Sequence, residues 1–137
     1  MTVFVDTSAL YALLDEDDAN HEDAARRLRA LRDDDLVTHA YVVVETLALV
    51  GRRLPWEATR RLIDVFLPLL DVQPVSASLH LAAIAAYRES SSAHPSFVDH
   101  TSFAFMRATG IGRAFAYDGD FLERGFALAG EPRREAD

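Results

Sequence analysis

Four acidic residues stand where a carboxylate is costly to keep. Asp6 closes a short β-branched and aromatic run, Thr2 to Val5, and is followed by Thr7 and Ser8. Glu45 is set between residues 41–44 and 47–50, inside a stretch with almost no polar face. Asp99 lies three residues after Ser96, and Asp99, Ser102, Phe103 and Met106 fall at i, i+3, i+4 and i+7, one helical stripe. Asp118 ends the strand-like run 114–117 and precedes Gly119. An unpaired buried carboxylate costs several kcal/mol or takes up a proton, so each of these groups needs a partner. Two carboxylates about 4 Å apart repel by roughly 4 kcal/mol at an effective dielectric near 20. A cluster of four would therefore call for protons or a cation. Hard oxygen donors suit Mg²⁺ or Mn²⁺, ions that keep several waters and reach phosphate oxygens.

Each acid also has an ordinary reading. Asp6 can cap the helix that follows it. Glu45 can pair with an arginine. Asp99 can belong to a capping box with Ser96, and Asp118 can serve a turn before Gly119. Asp120 reads as the cap of the next helix. What favours a shared site is that all four fall at strand ends or on apolar faces where one fold would converge.

The elements that must position them alternate. Strands are expected at residues 2–5, 36–38, 71–75 and 114–117. Helices are expected from Thr7 to about Leu14, over 21–32, over 40–53, from Pro55 through about Leu67, over 76–90, from Ser96 to Ala108, and briefly after Asp120. The helix over 40–53 is apolar almost all round and is expected to be buried. Residues 90–95 are the clearest loop. Short strands alternating with helices imply a parallel sheet covered on both faces, with ligands beyond the carboxyl ends of the strands.

Composition narrows the functional classes. The 137 residues suit one domain, and half are apolar. No apolar run approaches the roughly 18 residues of a membrane span, and the first residues lack the basic start and apolar stretch of a secretory signal. With no cysteine, disulfides, thiolate zinc sites and cysteine nucleophiles are excluded, and a cytoplasmic location is expected. The net charge of −8 argues against a protein that coats nucleic acid with basic surface, whereas a divalent ion would let an acidic pocket meet phosphate. All 14 basic residues are arginine, which removes any mechanism that needs a lysine, the phosphoacceptor signalling domains among them. Glycine-rich nucleotide fingerprints are absent.

The pieces Val5-Asp6-Thr7-Ser8, Val44-Glu45, Ser96-Phe97-Val98-Asp99 and Tyr117-Asp118-Gly119-Asp120-Phe121, in this order, resemble the PIN-domain family, in particular the VapC ribonuclease toxins of bacterial toxin–antitoxin pairs. The resemblance implies a three-layer α/β/α fold with a short, mainly parallel sheet and one nuclease domain over residues 1–130; the residues themselves suggest a flexible tail over 131–137. It implies that Asp6, Glu45, Asp99 and Asp118 hold Mg²⁺ or Mn²⁺ for hydrolysis of RNA, with Thr7, Ser8 and Asp120 as auxiliaries. It further implies a VapB-like antitoxin partner and a homodimer, for which the stretch around 47–67 is a candidate surface. The alternative is a PIN-like RNA-binding or regulatory module without catalysis. Ala116 departs from the pattern, since relatives commonly carry threonine or serine two residues before the fourth acid. Arg107 and Arg113 are candidates for flanking phosphates, although both also read as solvated surface residues. His100 reads as a surface or supporting histidine, and His21, His39, His80 and His94, scattered without metal spacing, are assigned no chemistry.

Overall fold

The computed structural model describes residues 1–130; the tail expected at 131–137 lies outside the described residues. Five parallel strands lie in the order β3-β2-β1-β4-β5: β1 (Thr2–Val5), β2 (Asp35–His39), β3 (Asp71–Gln73), β4 (Arg113–Phe115) and β5 (Ala127–Leu128). Seven α-helices connect and cover them: α1 (Thr7–Leu14), α2 (His21–Ala30), α3 (Ala40–Arg53), α4 (Trp56–Arg61), α5 (Ala77–Arg88), α6 (Phe97–Thr109) and α7 (Asp120–Glu123). The chain winds outward from β1 to β2 and β3, then returns to β4 on the other side of β1. The strand order thus reverses between β1 and β4, where open parallel sheets leave a crevice at their carboxyl ends.

Burial explains why β1 is central. Val3, Phe4 and Val5 are all buried, as a strand with helices over both faces requires, and Phe4 packs near the rings of His39, Phe105 and Phe121. One core joins these residues to Leu10, Val42, Leu62, Phe103, Met106 and Phe115. Helix α6 starts and stops as its sequence dictates. Ser96 and Asp99 form a reciprocal capping box, and Gly110 ends the helix at φ 73°, a left-handed conformation that glycine adopts without a Cβ penalty.

Several expectations need correction. Helix α3 has the expected bounds but is not buried all round: only Val42, Thr46 and Val50 are fully covered, one stripe at i, i+4 and i+8, while Val44 is 65% exposed. The helix from Pro55 does not stay regular. After α4 it widens into a π-turn (Leu62–Phe66) and tightens into a 3₁₀ turn (Leu67–Leu69) around Pro68, which cannot donate to a helical ladder. Strand β5 was not expected. Its two residues owe their strand state to pairing with Arg113 and Ala114 rather than to composition.

Candidate metal centre

The crevice between β1 and β4 is where the acids meet. Asp6 follows β1 directly, and its N–H donates to the carbonyl of Phe115 at 3.0 Å, carrying the β1–β4 pairing to the sheet's end. Its Oδ2 accepts from the N–H of Ser8 at 3.1 Å and from the Ser8 hydroxyl at 2.7 Å, so Asp6 does cap α1. Its Oδ1 is buried and accepts no hydrogen bond among the described residues. Ser8 Oγ in turn accepts from the N–H of Tyr117 at 2.9 Å, which ties the start of α1 to the exit of β4.

Glu45 projects from the edge of the buried stripe of α3. The pose of that helix is set by His39, whose Nδ1 accepts from the N–H groups of Tyr41 and Val42 at 3.2 and 3.4 Å. His39 Nε2 therefore carries the proton and donates to Ser102 Oγ at 2.9 Å, joining the helix that carries Glu45 to the one that carries Asp99. Burial holds the His39 pKa down at about 4, which keeps the ring neutral. His39 thus has a structural task that its position in the sequence does not reveal. The Thr7 and Thr46 hydroxyls lie 3.1 Å apart, and the Thr7 hydroxyl, 3.5 Å from the carbonyl of Val42, also bonds the Glu45 carboxylate.

Asp99 is only 7% exposed although it is engaged in its cap, with Oδ2 accepting from the Ser96 N–H at 3.1 Å. The capping and pocket readings of Asp99 therefore coexist. Asp118 is half-buried beyond β4, and its Oδ1 accepts from the N–H of Asp120 at 3.0 Å. This overturns the expectation that Asp120 caps α7: Gly119 holds the cap position, Asp118 supplies the acceptor, and Asp120 is the first helical residue, its side chain turned inward and the residue 8% exposed.

The electrostatics show that these groups share one space. Burial is the largest influence on Asp6 and raises its pKa to about 7, the Ser8 hydroxyl opposes it, and Asp99 and Glu45 add further upward pressure. Glu45 is raised by burial and by Asp99 and Asp118, against the hydrogen bond from Thr7. Asp99 is raised by burial and by Asp118, against the bonds to Ser96, and Asp118 is raised by burial and by the Asp120 side chain, against the hydrogen bond from the Asp120 N–H. No arginine ranks among the leading influences on any of the four, so an arginine partner for Glu45 is not what the fold supplies.

The other candidates fall elsewhere. Arg113 begins β4, at the opposite end of the strand from the crevice, and Arg107 in the last turn of α6 stacks over Phe126, 5.4 Å from its ring centroid. His100 is not a surface residue: it is 5% exposed and packed near the rings of Tyr87 and Phe103. His94, by contrast, stands beside the site, with its Nε2 2.8 Å from Asp120 Oδ2. The one clue in the sequence is its place in the loop that opens the helix of Asp99. Ala116 is buried, a small apolar residue just below Asp118.

A dication suits this donor set. Asp6 Oδ1 is an orphaned buried oxygen, and the surrounding carboxylates repel one another, which a divalent charge would reverse.

The PIN domain pattern matches residues 3–127. The 23S rRNA-specific endonuclease VapC20 of Mycobacterium tuberculosis is 38% identical over 125 residues, covering 90% of this chain and 95% of that protein. The chain belongs to the PIN-domain family. The crystal structure of M. tuberculosis VapC20, described as a sarcin–ricin loop cleaving toxin, matches with a TM-score of 0.81 at 37% identity, over 91% of this chain and 96% of that one. FitAcB from Neisseria gonorrhoeae shares the PIN fold at a TM-score of 0.66 and 18% identity, over 94% of this chain and 96% of that one. The expected α/β architecture with a parallel central sheet is the one observed.

Proposed function

We propose that this PIN-domain protein is a metal-dependent endoribonuclease, the toxin of a toxin–antitoxin pair, and that its substrate is structured ribosomal RNA. The observation that carries the reading is Asp6: 3% exposed, one oxygen without a hydrogen bond, and pressed by Glu45 and Asp99 rather than neutralised by an arginine. Its identity of 38% to a 23S rRNA-specific endonuclease supports the choice of substrate class.

Asp6, Glu45 and Asp99 would hold Mg²⁺ or Mn²⁺, with Asp118 completing the set. Bound there, such an ion supplies charge to the scissile phosphate and lowers the pKa of an attacking water. The chain's own groups provide order. Ser8 fixes the rotamer of Asp6 by two hydrogen bonds to one oxygen and leaves the other without a hydrogen bond among the described residues. Thr7 bonds Glu45 and favours its ionised form. Ser96 holds Asp99 in the first turn of α6, where the helix N-terminus favours negative charge.

The antitoxin is expected to cover this acidic crevice with a basic or extended segment. The homodimer face is expected on the outer side of α3, α4 and the π-turn, where Val44, Trp56, Ile63 and Val65 are exposed. Among the described residues no helix is long and apolar enough to cross a membrane.

The test is cleavage of a 23S rRNA fragment containing the sarcin–ricin hairpin, with Mg²⁺, Mn²⁺ or chelator, by the protein and its Asp6→Asn and Asp99→Asn variants. Discrete metal-dependent cuts that both folded variants lack are expected. RNA bound but left intact in every metal would overturn the reading in favour of a non-catalytic module.

A further inference from the structure

Outside the four principal acids lies a second group whose donors differ in kind. His94, on the loop before α6, offers an imidazole; Asp118, after β4, and Asp120, opening α7, offer carboxylates. One donor atom from each of the three lies within 4.8 Å of the other two. A dication with bonds of about 2.1 Å spans donors up to about 4.2 Å apart, so only a small inward movement is needed to close the group.

Asp120 supplies an independent indication. The residue is 8% exposed, and its Oδ2 takes part in no hydrogen bond among the described residues although His94 Nε2 is 2.8 Å away. The two are close without being aligned as donor and acceptor. A buried carboxylate oxygen in that position lacks the directional partner it needs, and a cation between it and the imidazole would provide one. The neighbours are already arranged for this. Asp118 is held by the Asp120 N–H, which orients it toward the same space, while the His94 side chain is 72% exposed and can adjust at small cost.

We propose that His94, Asp118 and Asp120 form a second cation subsite at the rim of the acidic crevice, and that its imidazole makes it select transition-metal dications such as Mn²⁺ or Co²⁺ over Mg²⁺. The site rests on the metal reading of the crevice and refines it. Imidazole is a softer donor than carboxylate and favours first-row transition ions, whereas Mg²⁺ prefers oxygen and releases its water reluctantly. The deep acids are all-oxygen and have no such preference. Asp118 stands between the two subsites, which gives the half-buried fourth acid a task distinct from that of Asp6.

The probe is metal alone, with no RNA. Co²⁺ and Mg²⁺ binding to the intact protein would be followed by calorimetry, and the His94 imidazole would be followed by ¹⁵N-resolved NMR during addition of Co²⁺. Selective loss or shift of the His94 signals at stoichiometric Co²⁺ is expected, with Co²⁺ affinity at this subsite about tenfold or more weaker in His94→Ala and in Asp120→Asn. Mg²⁺ binding should change little in His94→Ala. In Asp6→Asn the His94 response should persist. Unperturbed His94 signals at saturating Co²⁺, or equal Co²⁺ affinity in His94→Ala, would overturn the subsite and leave a simple imidazole–carboxylate contact. These outcomes are separable from the nuclease reading: RNA cleavage with a silent His94 would sink only the subsite, and a responsive His94 without cleavage would sink only the nuclease.

Discussion

Asp6 and Asp23 are the same residue type placed on either side of the exit of β4, and the fold treats them in opposite ways. Burial pushes Asp23 upward too, but hydrogen bonds from Tyr117 at 2.6 Å, from Arg27 at 2.6 Å and from Arg26 outweigh it and hold its pKa at about 2. Asp6 is more deeply buried, has no arginine among its leading influences, and sits at about 7. The Asp23 group also raises the Tyr117 hydroxyl beyond its usual range, behind burial as the main cause. Carboxylates that serve structure are thus paired inside the protein. Those of the crevice are left in one another's company, and that is the arrangement a cation would complete.

The contrast can be broken at its extreme first. Asp6→Asn or Asp99→Asn should lower RNA cleavage on the order of 10³-fold, since several kcal/mol of charge stabilisation would go with the ion. Circular dichroism on the same samples should show an intact fold. Cleavage within threefold of the parent would remove Asp6 from the metal centre.

The second effect is on stability without metal. Unfolded, Asp6 ionises near its ordinary 3.8; folded, near 7. The folded state therefore binds the proton more tightly, and stability from this group is fully present below pH 4 and is lost as pH rises to 7. The change is about 4 kcal/mol, and burial of Glu45, Asp99 and Asp118 acts in the same direction. Urea melts in chelator should show this decline, and Asp6→Asn should flatten it. Mn²⁺ at pH 8 should restore stability to the parent but much less to the variant. Asp23 has the opposite sign, its contribution being lost as pH falls from about 4 to 2.

Smaller effects sharpen the boundary between the two groups. Thr7→Val removes the hydroxyl that favours ionised Glu45, and cleavage at pH 7 should fall about tenfold, with part of the loss recovered at higher pH. Asp23→Asn should cost about 1 kcal/mol of stability at pH 7 because its partners are partly exposed, and cleavage per folded molecule should be unchanged. A large loss of cleavage in that variant would join the two regions that the structure separates.

What the sequence made legible follows from how local each feature is. The run Thr2–Val5, the bounds of α3 and the Ser96–Asp99 cap depend on periodicity and on contacts within one turn, and they appear as expected. The all-round burial expected of α3 does not hold, because apolar residues that await another surface read the same as those in a core. Strand β5 was invisible because its two residues are fixed by a neighbour 14 positions earlier, Arg113 opposite Ala127. Asp6, Glu45, Asp99 and Asp118 stand out in the sequence because a charge in an apolar setting is conspicuous in one dimension. His94 is inconspicuous in the sequence because it sits in a polar loop, and only the return of β4 and α7 brings it within reach of Asp118 and Asp120.

The order of the sheet has a consequence for when this protein becomes whole. Its central strand spans residues 2–5, yet one of that strand's two neighbours spans residues 113–115 and pairs Phe4 with Ala114. Such distant pairing must wait for residues 113–115, so the sheet closes late rather than growing strand by strand. A chain in which β4 has yet to dock has Asp6 and Glu45 in hand but not Asp118 and Asp120, which follow that strand. The acidic crevice is therefore among the last parts of the fold to be assembled, and its donor set is incomplete until β4 has joined β1.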